Sequence, residues 1–176
     1  MSRSETVRRP SRVASFFSFP NPVNEVSARL VAAGVVVMSV LAIALDLKWM
    51  TVVIAYGFVA RVVTGPTLSP LGQLVTRVVT PRLGLAARPV AGPPKRFAQG
   101  MGATFSLTAL VLTGLGYWTA AQAVLGLLVV AATLESAFAI CLGCMTFGLL
   151  MRAGIVPDEV CERCNDIWAT PQRAAA

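Results

Sequence analysis

Leu30-Val-Ala-Ala-Gly-Val-Val-Val-Met-Ser-Val-Leu-Ala-Ile-Ala-Leu45 decides the fold. Its only polar side chain is Ser39. Asp46-Leu47-Lys48 then interrupts the run, Trp49–Ala60 resumes it, and Val62-Val63 follow after Arg61. Each run is somewhat short of the roughly 20 residues that cross the hydrocarbon of a bilayer. Arg29 and Arg61 are expected to extend the two spans by snorkelling, stems in lipid and guanidinium heads at the interface. The stretch therefore reads as a hairpin of two transmembrane helices.

Working outward, Gly100–Trp118 is apolar apart from a few Thr, Ser and Gly. Ala121–Ile140 is apolar apart from Gln122, Thr133, Glu135 and Ser136, and only Thr119 and Ala120 separate the two runs. This is a second hairpin. Small residues such as Gly102, Ala103, Gly114 and Ala131 let helices in a membrane approach closely. The whole chain agrees: 56% of its 176 residues are hydrophobic, 13% are charged and the mean hydropathy is +0.71. Ordinary soluble domains carry about 25% charged residues, so a soluble globule lacks the polar surface it needs.

Orientation follows from the basic residues. Arg3, Arg8, Arg9, Arg12, Arg29, Arg61, Arg77, Arg82, Arg88, Lys95, Arg96, Arg152, Arg163 and Arg173 fall on one side, and only Lys48 on the other. Lys and Arg stay with cytoplasmic loops. Both termini and the loop 64–97 are thus expected in the cytoplasm, in a multi-pass membrane protein. Trp49, Tyr117 and Trp118 then sit at the outer interface, where such aromatics are enriched. A cleaved signal peptide is not expected, because a polar, Arg-bearing stretch precedes the first apolar run.

Three further segments complete the plan. Residues 1–27, with Arg8, Arg9 and Arg12 before Phe16, Phe17 and Phe19, read as a cytoplasmic flexible or interfacial tail ahead of a membrane domain over 28–151. In the loop, Ser69-Pro70 offers an N-cap and a first-turn proline. Leu71, Leu74, Val75, Val78 and Val79 follow at helical spacing until Pro81, which predicts a short amphipathic helix on the inner leaflet. Arg82, Arg88, Lys95 and Arg96 fit anionic lipid, and nucleic acid is not expected as a partner. Pro157-Asp158-Glu159 opens a cytoplasmic helix within 152–168, and 169–176 is expected to be disordered. The fold class is all-α.

Chemistry rests on few residues. There is no His in the chain, which removes imidazole as a base or ligand. The four cysteines form two C-x-x-C pairs, Cys141/Cys144 and Cys161/Cys164, a spacing that reads as a four-thiolate site. If the chain turns at Gly154, all four sulfurs can meet. The acids around Cys161 and Cys164 are costly in hydrocarbon. The fourth span should therefore end near Ile140, with its helix continuing as a cytoplasmic extension from Cys141 to Arg152. Two chemistries suit the site: thiol redox or sulfur relay by thiolates, or a structural clamp in which four thiolates hold Zn²⁺ tetrahedrally, or hold iron. Glu135 is an ionisable group inside a span, about 7–8 Å below the end of the fourth helix at 1.5 Å per residue. It is read either as half of a buried ion pair with Arg29 or Arg61, or as the centre of a small transporter.

Pro94-Lys95-Arg96-Phe97-Ala98-Gln99 followed by Gly102, and Leu134-Glu135 with Ala137-Phe138 before Cys141-Leu142-Gly143-Cys144, resemble a bacterial membrane-protein family catalogued as domain of unknown function 4395. The resemblance covers roughly residues 20 to 168. It implies a small helical membrane protein without an established activity. It also implies a kinship with accessory proteins of thioredoxin-like and rhodanese-like sulfur systems, which are then the expected partners. Cys161 and Cys164 look like a feature of one branch of that family.

Overall fold

Asn24 starts the first helix of the computed structural model, which describes residues 22–84, 86 and 88–156. Its side chain accepts the Val26 N–H at 3.0 Å, an Asx cap on helix α1 (Glu25–Ala44). Glu25 in the first turn favours the positive helix end. Two residues either side of the loop, Val23–Asn24 (β1) and Pro89–Val90 (β2), pair antiparallel and tie the start of α1 to the loop. Asp46, at φ +51°, reverses the chain into α2 (Met50–Thr64), which Gly65 ends at φ +63°. Helix α5 (Gly92–Gly114) begins on Pro93-Pro94, and Gly116 (φ +87°) turns the chain into α6 (Trp118–Phe138). The last described helix is α7 (Leu142–Arg152), closed by Gly154 at φ +73°.

The chain is mostly helical, and α1 and α6 are long and apolar enough to cross a membrane. At 20 and 21 residues each is about 30 Å long, the thickness of a hydrocarbon core. Helices α2 and α7 are shorter apolar helices. Short turns join α1 to α2 and α5 to α6, but α1 packs chiefly on α6, and α2 on α5. Small residues permit this. Ala42, Ala109 and Ala121 are fully buried, and a Cβ on Gly102 would stand 2.1 Å from Phe58 Cε1. Gly114 does not share that role, since nothing lies within 4 Å of the place its Cβ would take.

Both helix–helix turns gather at one end. Asp46 there accepts from Trp118 Nε1 at 2.7 Å and Gln122 Nε2 at 3.2 Å, and Lys48 sits 6.0 Å over the Trp118 ring. The opposite end carries Arg29, Arg61, Arg88, Lys95 and Arg96.

Several boundaries differ from expectation. Helix α5 starts eight residues earlier than Gly100 because two prolines are good first-turn residues and Lys95 and Arg96 find partners on the bundle. Arg61 does not snorkel. It is 5% exposed, donating from Nε to Gln99 Oε1 (2.9 Å) and from Nη1 to Ser69 Oγ (3.1 Å), with its guanidinium 4.4 Å above Phe58. The loop helix passes through Pro81 as α3 (Pro70–Leu74), a π-helical turn (Val75–Val79) and α4 (Thr80–Leu83). Pro81 has no N–H for the carbonyl four residues back and its ring crowds it, so the preceding turn widens to π. This segment leans on α1, where Leu71 covers Gly34 and Ser27 Oγ meets Thr80 Oγ1 at 3.0 Å.

Candidate functional site

The fourth long helix does not run on to Arg152. It stops at Phe138, with Ala139 left-handed at φ +58°. Ile140 N–H closes the end on the Leu134 carbonyl at 3.0 Å. Arg29 supplies the remaining donors, reaching the Ser136 carbonyl with Nε (3.1 Å) and Nη2 (3.0 Å) and the Ala137 carbonyl with Nη2 (3.2 Å). A cation on orphan carbonyls at a helix C-terminus is favourable on both charge and hydrogen-bond grounds. The continuous extension expected from Cys141 to Arg152 is thus corrected to a break followed by a new helix.

The break places Cys141 at the N-cap of α7. Its Sγ accepts the Cys144 backbone N–H at 3.3 Å and the Cys144 thiol at 2.7 Å. Both cysteines are free thiols. Helix α7 folds back on the start of α5 rather than into open space. A Cβ on Gly143 would meet Ala98 Cα and Cβ at 2.5 Å, and Phe147 packs at 5.7 Å on Phe97. Gly143, between the two cysteines, is therefore the contact that sets the height of the dithiol.

Lys95 and Glu135 complete the surroundings. Lys95 Nζ donates to Glu135 Oε1 at 2.8 Å, with side chains 10% and 17% exposed. The pairing of Glu135 with Arg29 or Arg61 is corrected accordingly. Arg29 is spent on helix-end carbonyls and Arg61 on Gln99 and Ser69, whereas the early start of α5 brings Lys95 to the acid. In the sequence Lys95 read only as a basic residue of the loop, and its pairing with Glu135 was missed. Pro93-Pro94 immediately before it, as first-turn residues, were the signal that a helix begins there.

The two thiols are driven apart in acidity. The hydrogen bond donated by Cys144 is the largest influence on Cys141 and, with Lys95, holds its pKa below the ordinary thiol value against burial and the Glu135 charge. Cys144 is pushed well above that value, by the same hydrogen bond first and burial second. For Lys95, burial works to lower the pKa, but the charges of Glu135 and the cysteines outweigh it and raise it. Within the pair, Cys141 at the helix N-terminus is thus the more acidic thiol and Cys144 the less acidic one.

Cys141 can be approached from two sides. An open cleft of about 450 Å³ is lined by Cys141, Cys144, Lys95, Glu25, Pro94 and Met145. On the other side a cavity of about 280 Å³ between the long helices reaches Cys141, Glu135, Arg61 and Gln99. Its remaining wall is mostly apolar, including Val35, Phe58 and Leu128. Among the described residues no three Cys, Asp or Glu side chains converge as metal ligands. Cys161 and Cys164, with the helix expected after Pro157, lie outside the described residues.

The family model described as Domain of unknown function (DUF4395) matches residues 23–152, which include Cys141 and Cys144 and end before Cys161. No curated protein and no solved structure matches the chain. With almost three quarters of its length matched, the chain belongs to this domain-of-unknown-function family.

Proposed function

We propose that this protein is a polytopic membrane dithiol–disulfide exchanger, with Cys141 and Cys144 as its reacting pair. One observation carries the reading: Cys144 Sγ stands 2.7 Å from Cys141 Sγ, with Cys141 capping a helix. In the exchange, the Cys141 thiolate attacks a partner disulfide and releases one partner thiolate. Cys144 then passes its proton to that thiolate and attacks Cys141 Sγ, expelling the second partner sulfur, which takes a proton from water, and leaving a Cys141–Cys144 disulfide and a partner dithiol. The step reverses with a reducing partner. Glu135, held by Lys95, fits a counter-charge of this site better than an ion carrier.

Four spans, two hairpins and cytoplasmic termini are part of the proposal. They are supported by the length and apolarity of α1 and α6 and by the gathering of both short turns at the end away from the basic residues. The dithiol then faces the cytoplasm, where a thioredoxin-like or rhodanese-like protein is the fitting partner. Cys161 and Cys164 fit the exchanging pair between the two.

The test is a redox titration in glutathione buffers of detergent-purified protein carrying Cys161→Ser and Cys164→Ser, read by alkylation mass shift. A single two-thiol transition, abolished by Cys141→Ser or Cys144→Ser, is the expected result. Two thiols that never pair across the whole range would overturn it. Reporter fusions after Leu47 and after Gly84 check the topology, and finding both on the same side of the membrane would overturn the four-span arrangement.

A further inference from the structure

We infer that the cavity behind Cys141 takes a lipid-soluble quinone, and that this quinone is the oxidant of the dithiol. The inference rests on the dithiol reading above and names the second substrate of the same site. Its first support is connection: Cys141 lines both the outward cleft and the inner cavity. A sulfur with access to two compartments of different polarity can pass electrons between a partner on one side and a carrier on the other.

The second support is where the cavity opens. Leu127 and Val130 line it and are 60% and 58% exposed. These belong to α6, one of the helices long and apolar enough to span a bilayer. The mouth is therefore an apolar wall that a lipid-dissolved molecule can reach and a water-soluble oxidant such as glutathione disulfide cannot. The third support is size and polarity. A cavity of about 150 Å³ lined by aliphatic groups holds benzene. The 280 Å³ here fits a substituted six-membered ring and the start of its tail.

The polar groups sit at the cysteine end. Gln99 Oε1 is occupied by Arg61 Nε at 2.9 Å, which leaves the Gln99 NH₂ as a donor for a carbonyl oxygen. A plain acyl chain gains nothing from that group, whereas a quinone does. The reaction balances without further reagents. Two protons and two electrons leave the Cys141 and Cys144 thiols, an Sγ–Sγ bond forms, and the quinone takes up both protons and both electrons to become its hydroquinone. Quinones serve as terminal acceptors for protein dithiols in this way.

The experiment mixes reduced protein (Cys161→Ser, Cys164→Ser) with a short-tailed benzoquinone under argon in detergent. One hydroquinone formed per two thiols lost is expected, and neither Cys141→Ser nor Cys144→Ser should give this stoichiometry. Leu127→Trp at the mouth and, independently, Ala131→Phe in the wall should slow quinone oxidation about tenfold or more, since misplacing a reactant by an ångström costs at least that. Both should leave oxidation by glutathione disulfide unchanged. A dithiol that glutathione disulfide oxidises but the quinone does not overturns the inference and leaves the exchanger standing. A dithiol that neither reagent converts to a disulfide overturns both. Quinone oxidation unslowed by either variant overturns the cavity as the site.

Discussion

Lys95 Nζ lies 2.8 Å from Glu135 Oε1 and ties the first turns of α5 to the last turn of α6, directly beneath the dithiol. Both side chains are more than four-fifths buried. Removing one partner strands a charge, and such losses cost about 3 kcal/mol or more. Lys95→Met should therefore destabilise the protein by about that amount. Lys95→Met with Glu135→Leu should recover most of the loss, because an apolar pair of similar volume replaces a desolvated one. Thermal unfolding in detergent across the double-mutant cycle measures both. A single variant as stable as the wild type would refute the pair as a structural element.

The same two residues act on Cys141 with opposite signs. The Lys95 charge lowers the Cys141 pKa and the Glu135 charge raises it. Wild-type Cys141 should react with iodoacetamide with a midpoint below the ordinary thiol value of about 8.5. Neutralising the cation in Lys95→Met removes a stabiliser of the thiolate, so the midpoint should move up. Neutralising the acid in Glu135→Gln should move it down. Alkylation rates against pH give all three, and shifts of the same sign in both variants would contradict the assignment.

What the sequence could convey here depends on range. Apolar runs are local, so the helices around Leu30–Leu45 and Ala121–Ile140 were legible, as was the Ser69-Pro70 cap, whose Oγ accepts the Gly72 N–H at 3.2 Å. The break at Ala139 was not, because a non-glycine residue takes the left-handed conformation here for tertiary reasons. Arg29 reaches across from α1, a separation of 107 residues, to satisfy the helix end that the break creates. Partner choice was hidden for the same reason. Arg29, Arg61 and Lys95 were all assigned to one side, and composition cannot say which reaches Glu135. That Cys141 and Cys144 form a pair was readable from C-x-x-C, but that Cys141 caps a helix was not.

Gly143 tests whether the position of α7 sets the chemistry. A Cβ there meets Ala98 Cα as well as Cβ, both at 2.5 Å. Backbone cannot swing aside as a side-chain tip does, so α7 must move off α5. Gly143→Ala should cost about 1–3 kcal/mol, the range for overpacking. It should also bring the Cys141 alkylation midpoint back toward an ordinary thiol, because the pair moves away from Lys95. Adding Ala98→Gly relieves the Cβ clash but not the Cα one, so it should restore only part of either change. An unchanged midpoint in Gly143→Ala would separate helix packing from thiol acidity.

Asp46 provides the control at the far end. It sits at φ +51° and accepts from Trp118 Nε1 and Gln122 Nε2, joining the two turns of the bundle. Asn tolerates the left-handed region and keeps an oxygen acceptor, while Ala does neither. Asp46→Ala should thus cost about 1–2 kcal/mol from lost hydrogen bonds and backbone strain, and Asp46→Asn much less. Helix α6 separates this site from the dithiol by about 30 Å at 1.5 Å per residue over its length. The redox midpoint of Cys141/Cys144 should therefore stay at the wild-type value in both variants, even where thermal stability falls. A midpoint that tracks the loss of stability would mean that the dithiol responds to the whole bundle, and the local account built on Lys95, Glu135 and the α7 cap would have to yield.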